Sequence, residues 1–197
     1  MDDPLLREQS PAEYFKDLID SALARQHLYT SELTAYYLVD LLCRFMRPDR
    51  RIPFNDDPGD PLALRLARAL ESGGVEQRAR LRNLGDFSLF TSGYFSDSLR
   101  HGLVDVDYYV SMGEYAYASL GRRDEDAFGD VFADLARRFV AFTDVLSDVS
   151  EQTGTAGNAD VLRLYEKWLR TGSPRDGQRL ADRGIAPNLS IGKKFIQ

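Results

Sequence analysis

Nucleophilic, metal and acid–base chemistry draw on a short inventory in this chain: two histidines, His27 and His101, and one cysteine, Cys43. A single cysteine forms no intrachain disulfide, and three such ligands in all do not make a Cys/His zinc site. A carboxylate-bridged di-iron centre needs Glu-x-x-His on two helices, yet Ala24 and Ser98 stand three residues before the histidines. A haem with one axial histidine would fall to His101, with Met112 or Met46 as a distant partner. The polar setting of that histidine, SDSLRHG, makes a solvated side chain the plainer reading. The nucleophile elbow G-x-S-x-G, the Walker A loop and G-x-G-x-x-G are missing. Cys43 lies in an apolar stretch, where a thiol behaves as a small hydrophobe. The expectation is a chain with no metal and no cofactor, whose chemistry rests on carboxylates and tyrosines.

Those residues gather between 84 and 120. Gly85, Ser88 and Ser92 fall within about 60° of one another on a helical wheel, with Gly93 next in sequence. The following segment carries Gly113 and Ala116 beside Tyr109 and Leu120. Small residues either let helix backbones approach closely or leave room for a ligand. On the ligand reading, Ser88, Ser92, Tyr94, Tyr108 and Met112 are the binding candidates. Asp86 lies in angle between Leu89 and Phe90, while Asp107, Ser111, Glu114 and Ala118 form a narrow polar strip. Buried, Asp86 or Glu114 would have a raised pKa and serve as a general base or acid. Asp86, Tyr109 and Glu114 are therefore the catalytic candidates.

Two further charge patterns are readable. Asp126, Asp130 and Asp134 recur every four residues, as in helices that hold Mg²⁺ and a diphosphate. With Phe128 at zero they fall at about 160°, 200° and 240°, opposite the apolar stripe. That predicts an outer, solvated face shared with Asp144 and Asp148, with Asp134 paired to Arg137 or Arg138. Arg65, Arg68, Arg78, Arg80 and Arg82 concentrate positive charge in two neighbouring helices, as ordinary surface charge or as a seat for an acidic partner.

The elements that must position these residues all read as helices. Ser10-Pro11-Ala12-Glu13 is a capping box with proline at the first helical position. Behind it Phe15, Leu18, Ile19, Ala22 and Leu23 share one face. A second helix, from Thr30-Ser31-Glu32 to about Met46, is apolar almost all round and expected to sit centrally, with Asp40 and Arg44 paired at i,i+4. Residues 47–61 hold four prolines and read as a loop. Helices follow from Asp60-Pro61 to Glu71, from near Val75 with Gly85 as a stop or an interior residue, and from Asp105 or Asp107 to Gly121. A long one covers about 125–152, another about 159–170, and Ser173-Pro174 starts a last short one. No strand pattern or repeat is evident. The prediction is one all-α domain, residues 1–197, built as a bundle of seven to eight helices, with 1–9 and 184–197 as docked or frayed tails.

Charge narrows the partners. Of 25 basic residues only four are lysines, and the net charge is −6. That balance lacks the basic face a nucleic-acid binder needs. The acidic start MDDPLLREQS is no signal peptide, no apolar run reaches the roughly 20 residues of a membrane span, and a cytoplasmic location is expected.

The run GDFSLFTSGYF (85–95), followed by VDVDYYVSMGEYAY (104–117), resembles a family of uncharacterised all-helical bacterial proteins. The resemblance implies a helical fold and a bacterial origin, and brings no activity or site residues. The functional expectation is a helical protein acting by binding, through self-association as a homo-oligomer or with a protein partner or a small apolar ligand. The alternative is an enzyme using carboxylate and tyrosine acid–base chemistry in a pocket between the helices of residues 84–120.

Overall fold

The computed structural model describes residues 10–46, 60–94, 105–122, 127–153 and 171–182. It is all-α, with eight helices and no strand among the described residues: α1 (Pro11–Arg25), α2 (Glu32–Phe45), α3 (Leu62–Glu71), α4 (Gly74–Gly93), α5 (Val106–Gly121), α6 (Ala127–Arg137), α7 (Phe139–Gln152) and α8 (Pro174–Asp182). The tails, most of the 47–61 loop, His101, Asp126 and the helix expected at 159–170 lie outside the described residues. No described helix is long and apolar enough to cross a membrane.

Local signals set the helix starts. Ser10 caps α1, and Glu13 returns a carboxylate to the Ser10 backbone N–H at 2.9 Å, completing the capping box. Ser31 caps α2 through the Thr34 N–H. At the end of α1 the chain reverses through His27, which adopts a left-handed backbone with φ 52°. The Leu28 N–H reaches the Leu23 carbonyl at 3.0 Å and the His27 N–H reaches Ala24 at 3.2 Å, the paired bonds of a Schellman ending. Glycine adopts that backbone without steric cost, so His27→Gly is expected to stabilise the fold by about 0.5–1 kcal/mol. Thermal unfolding checks this: the melting temperature should rise by roughly 1–4 °C, and a fall would refute the argument.

One core cluster joins α1 to α7, with Ile19, Leu38, Leu42, Leu84, Leu89, Tyr117, Phe142 and Leu146 essentially inaccessible. α4 is the central element, packed on α5, α3, α7 and α2. Gly85 lies inside it and does not stop it. α2 is less enclosed than its composition suggests, because Tyr36 is 68% exposed.

Small residues are where helices meet. A Cβ on Gly85 would stand 2.6 Å from the Tyr117 ring, one on Gly93 2.7 Å from the Leu146 Cβ, and one on Gly121 2.8 Å from the Ala133 backbone nitrogen. At Gly113 it would overlap the Phe139 ring.

The long helix expected over 125–152 divides at Arg138, whose φ of −118° and ψ of 30° are not helical. Neither proline nor glycine causes the break. At the break the Arg138 guanidinium bonds Asp134 one turn back and reaches the α1–α2 connection, donating to the Tyr29 carbonyl at 2.6 Å and to Thr30 at 3.1 Å. Beyond the break other elements cover the outer face, with Ser173 donating to Asp144 and with Arg25 and Arg175 facing Asp148. Asp144 is buried, 2% exposed, and Asp148 is ion-paired with Arg25 at 2.9 Å, so neither shares the solvated face expected for them. Asp130 remains exposed.

Candidate functional site

Asp86 stands at the centre of a polar cluster inside an apolar fold. It is 1% exposed. Its Oδ1 accepts the Tyr37 hydroxyl at 2.5 Å and the Tyr117 hydroxyl at 2.8 Å, while Oδ2 accepts Arg44 Nη1 at 2.9 Å. Arg82 Nε lies 3.8 Å from Oδ2 and donates to the Tyr37 oxygen at 3.1 Å. Arg44 continues to Asp40 through Nε at 2.8 Å. Two carboxylates thus face two guanidiniums, which balances charge where an unpaired ion would be costly.

Helical spacing builds this from three elements. Tyr37, Asp40 and Arg44 share a face of α2, Arg82 and Asp86 are one turn apart on α4, and Tyr117 enters from α5. Phe132 of α6 closes the apolar side, stacked on Tyr117 with ring centres 5.8 Å apart and edge-on to Tyr37 at 5.6 Å. Both guanidiniums lie over the Tyr37 ring, at 5.9 Å for Arg44 and 5.1 Å for Arg82.

Burial first, and then the Asp86 charge, hold the Tyr37 and Tyr117 hydroxyls well above the usual phenol range. Burial alone would lower Arg44, but the Asp86 carboxylate outweighs it and the guanidinium is raised. The tyrosines have a consequence for stability. A pKa raised in the fold above its unfolded value, about 10 for tyrosine, leaves stability intact below that pH and removes it as pH rises beyond. Urea unfolding from about pH 9 to about pH 11 should show a decline of up to roughly 1.4 kcal/mol per pH unit for each such tyrosine. Tyr117→Phe should flatten that decline, and an identical slope in the variant would contradict the assignment.

The other sequence candidates are placed apart from this centre. No hydrogen bond or ion pair joins any two of Asp86, Tyr109 and Glu114. Tyr109 is half-buried against Phe87, with ring centres 6.3 Å apart, and its hydroxyl is raised by burial and by Tyr108. Glu114 is half-buried, and burial raises its carboxyl. The Tyr108 oxygen accepts the Ala63 N–H at 2.6 Å, near the start of α3. Tyr94 shares a hydrogen with Thr153 at 2.8 Å, and Ser92 Oγ donates to the Ser88 carbonyl at 2.6 Å. Ser88 Oγ is buried without a partner, next to Gly113. Met112 is partly buried against the core.

Sequence reasoning singled out Asp86 and the Asp40–Arg44 pair but not their union with Tyr37, Arg82 and Tyr117. The available signal was a second charged i,i+4 pair, Arg82 and Asp86, on a helix whose neighbouring turn is apolar. The arginine concentration disperses likewise: Arg65 is buried, 3% exposed, with its guanidinium 4.7 Å from the Phe87 ring centre, while Arg68 pairs with Asp60 and Arg80 with Glu76.

An open cleft of about 550 Å³ lies between the start of α2 and α6, lined by Tyr29, Thr30, Ser31, Asp134, Arg137 and Arg138 among others. Asp134 accepts Arg138 Nε at 2.8 Å, Arg137 at 3.0 Å and Thr30 at 2.8 Å. Those bonds outweigh its burial and hold its carboxyl below the usual range. Tyr29, at 86% exposed, stands free at the rim. Among the described residues no group of three or more His, Cys, Asp or Glu is placed to hold a metal ion. No protein-family model, curated protein or solved structure matches this sequence.

Proposed function

We propose that the protein acts by binding, with a second copy of its own chain as the partner, through the surface where α2 begins. The observation that carries this reading is the pair of aromatics left in solvent there, Tyr29 at 86% and Tyr36 at 68% exposed, with the cleft opening beside Tyr29. Tyrosine brings large contact area at small entropic cost and is enriched at interfaces. The Asp86 centre supports the same reading from the other side. Its oxygens already accept three donors, whereas a general base must reach a substrate proton. Light scattering across a concentration series tests the proposal. The mass should rise toward that of a dimer at high micromolar concentration, and Tyr29→Ser with Tyr36→Ser should hold it at the monomer. A wild-type monomer throughout would sink it.

One observation favours the enzyme reading instead: Glu114 is half-buried, raised and without a hydrogen-bonding partner, the condition of a proton-transfer group. Native mass spectrometry of the purified chain separates the two. A co-purified small molecule that Glu114→Gln loses would favour a ligand site at α5. A bare dimer would favour self-association.

A further inference from the structure

The outward face of α6 carries a charge pattern that is its own complement. Asp130, Ala133 and Arg137 are exposed on it, with Asp134 half-buried beside them. Asp130 and Arg137 are one heptad apart, about 10 Å along the helix and within about 20° of the same direction. Acid therefore stands toward the start of this face and base toward its end, with the Ala133 methyl group between them. The same face is one wall of the cleft, and Tyr29 stands on the other.

Both end charges are open to contact from outside. Asp130 is exposed, and among the described residues its carboxylate has no ion-pair partner. Arg137 gives Nη2 to Asp134 at 3.0 Å, yet 77% of its side chain is exposed, which leaves the rest of the guanidinium to solvent. The Asp134 charge near the centre is already answered by Arg138, with Nε at 2.8 Å, and its side chain is 13% exposed. It therefore sets little repulsion against a copy of itself.

In a two-fold symmetric pair one patch meets itself, so that residue i touches residue j and j touches i. Two α6 helices laid antiparallel, about an axis crossing between Ala133 and Asp134, set Asp130 against the partner's Arg137 and Arg137 against the partner's Asp130. A parallel pair would set like charge against like. The small side chain of Ala133 at the crossing suits a helix separation of roughly 8–10 Å.

We propose that two copies of the chain associate through α6 in this antiparallel register, with Asp130 and Arg137 as a reciprocal pair. The inference rests on the self-association reading and gives it a surface and an orientation. Exposed ion pairs contribute little energy by themselves. Like charges set opposite one another are strongly unfavourable, so the pattern selects the register.

Sedimentation equilibrium of charge-reversed full-length chains tests it. Asp130→Arg alone and Arg137→Glu alone each turn both contacts repulsive, and each should weaken the dimer by at least about tenfold. An equimolar mixture of the two variants should recover it, because in the mixed pair every cation again meets an anion. Both reversals on one chain should likewise restore self-association while preventing pairing with wild type. A local effect of either change on its own fold would not be undone by mixing. A wild-type monomer at high micromolar concentration overturns this proposal and the self-association reading together. A wild-type dimer that the single variants leave intact, or that their mixture fails to recover, overturns the α6 register alone.

Discussion

Asp86→Leu is expected to remove about 3–5 kcal/mol of folding stability, the range for breaking one side of a buried ion pair. The substitution leaves the Tyr37 and Tyr117 hydroxyls without their acceptor in a site from which water is excluded, and each orphaned hydroxyl costs about 1–3 kcal/mol. Arg44 and Arg82 lose their shared counter-charge, but their side chains are 32% and 39% exposed and can turn to solvent. The terms therefore do not simply add. Against a total of about 5–15 kcal/mol for a domain, the urea midpoint should fall by roughly a fifth or more. Asp86→Asn keeps an oxygen for the tyrosines and should lose roughly half as much. A double-mutant cycle of Asp86→Asn with Tyr117→Phe isolates the direct bond, with a coupling of about 0.5–3 kcal/mol expected between touching groups. A loss under about 1 kcal/mol in Asp86→Leu would mean that the centre does not hold the helices together.

Gly113→Ala should cost about 1–3 kcal/mol by overpacking. The sign is what makes it informative. Helix propensity alone favours alanine over glycine by about 1 kcal/mol, so a Gly113 beside open space would be improved by the change. Here a Cβ meets the Phe139 ring, 1% exposed, and stands 2.9 Å from the Ser88 Cβ. Chemical denaturation gives the sign directly, and a stabilised variant would show room beside α5. Combining Gly113→Ala with Phe139→Leu should recover part of the loss, since the smaller side chain yields the space. If the two losses simply add, the ring is not what the methyl meets.

These two sites also show how far residue spacing reaches. The Ser10 capping box, the start of α2 near Thr30-Ser31-Glu32, the Ser173-Pro174 start of α8 and the Asp40–Arg44 pair were all legible, because each depends on groups within four residues of one another. The all-α class followed from the same 3.6-residue periodicity. The small residues at 85, 93 and 113 were legible as places where something approaches, but the approaching groups are Tyr117, Leu146 and Phe139 from other helices. The break at Arg138 had no local mark: its i,i+4 bond to Asp134 is what an unbroken helix would also make, and its other partners, Thr30 and Tyr29, lie 108 and 109 residues away.

Asp86 makes the contrast sharpest. Its wheel position among Leu89 and Phe90 announced a carboxylate at the edge of the core, compatible with a proton acceptor or a structural ion. Partners 49, 42 and 31 residues distant, at Tyr37, Arg44 and Tyr117, determine its surroundings. Periodicity reports which way a side chain faces on its own helix. The dielectric and the donors it meets belong to the helices packed against that face, and they exist only once the chain has folded.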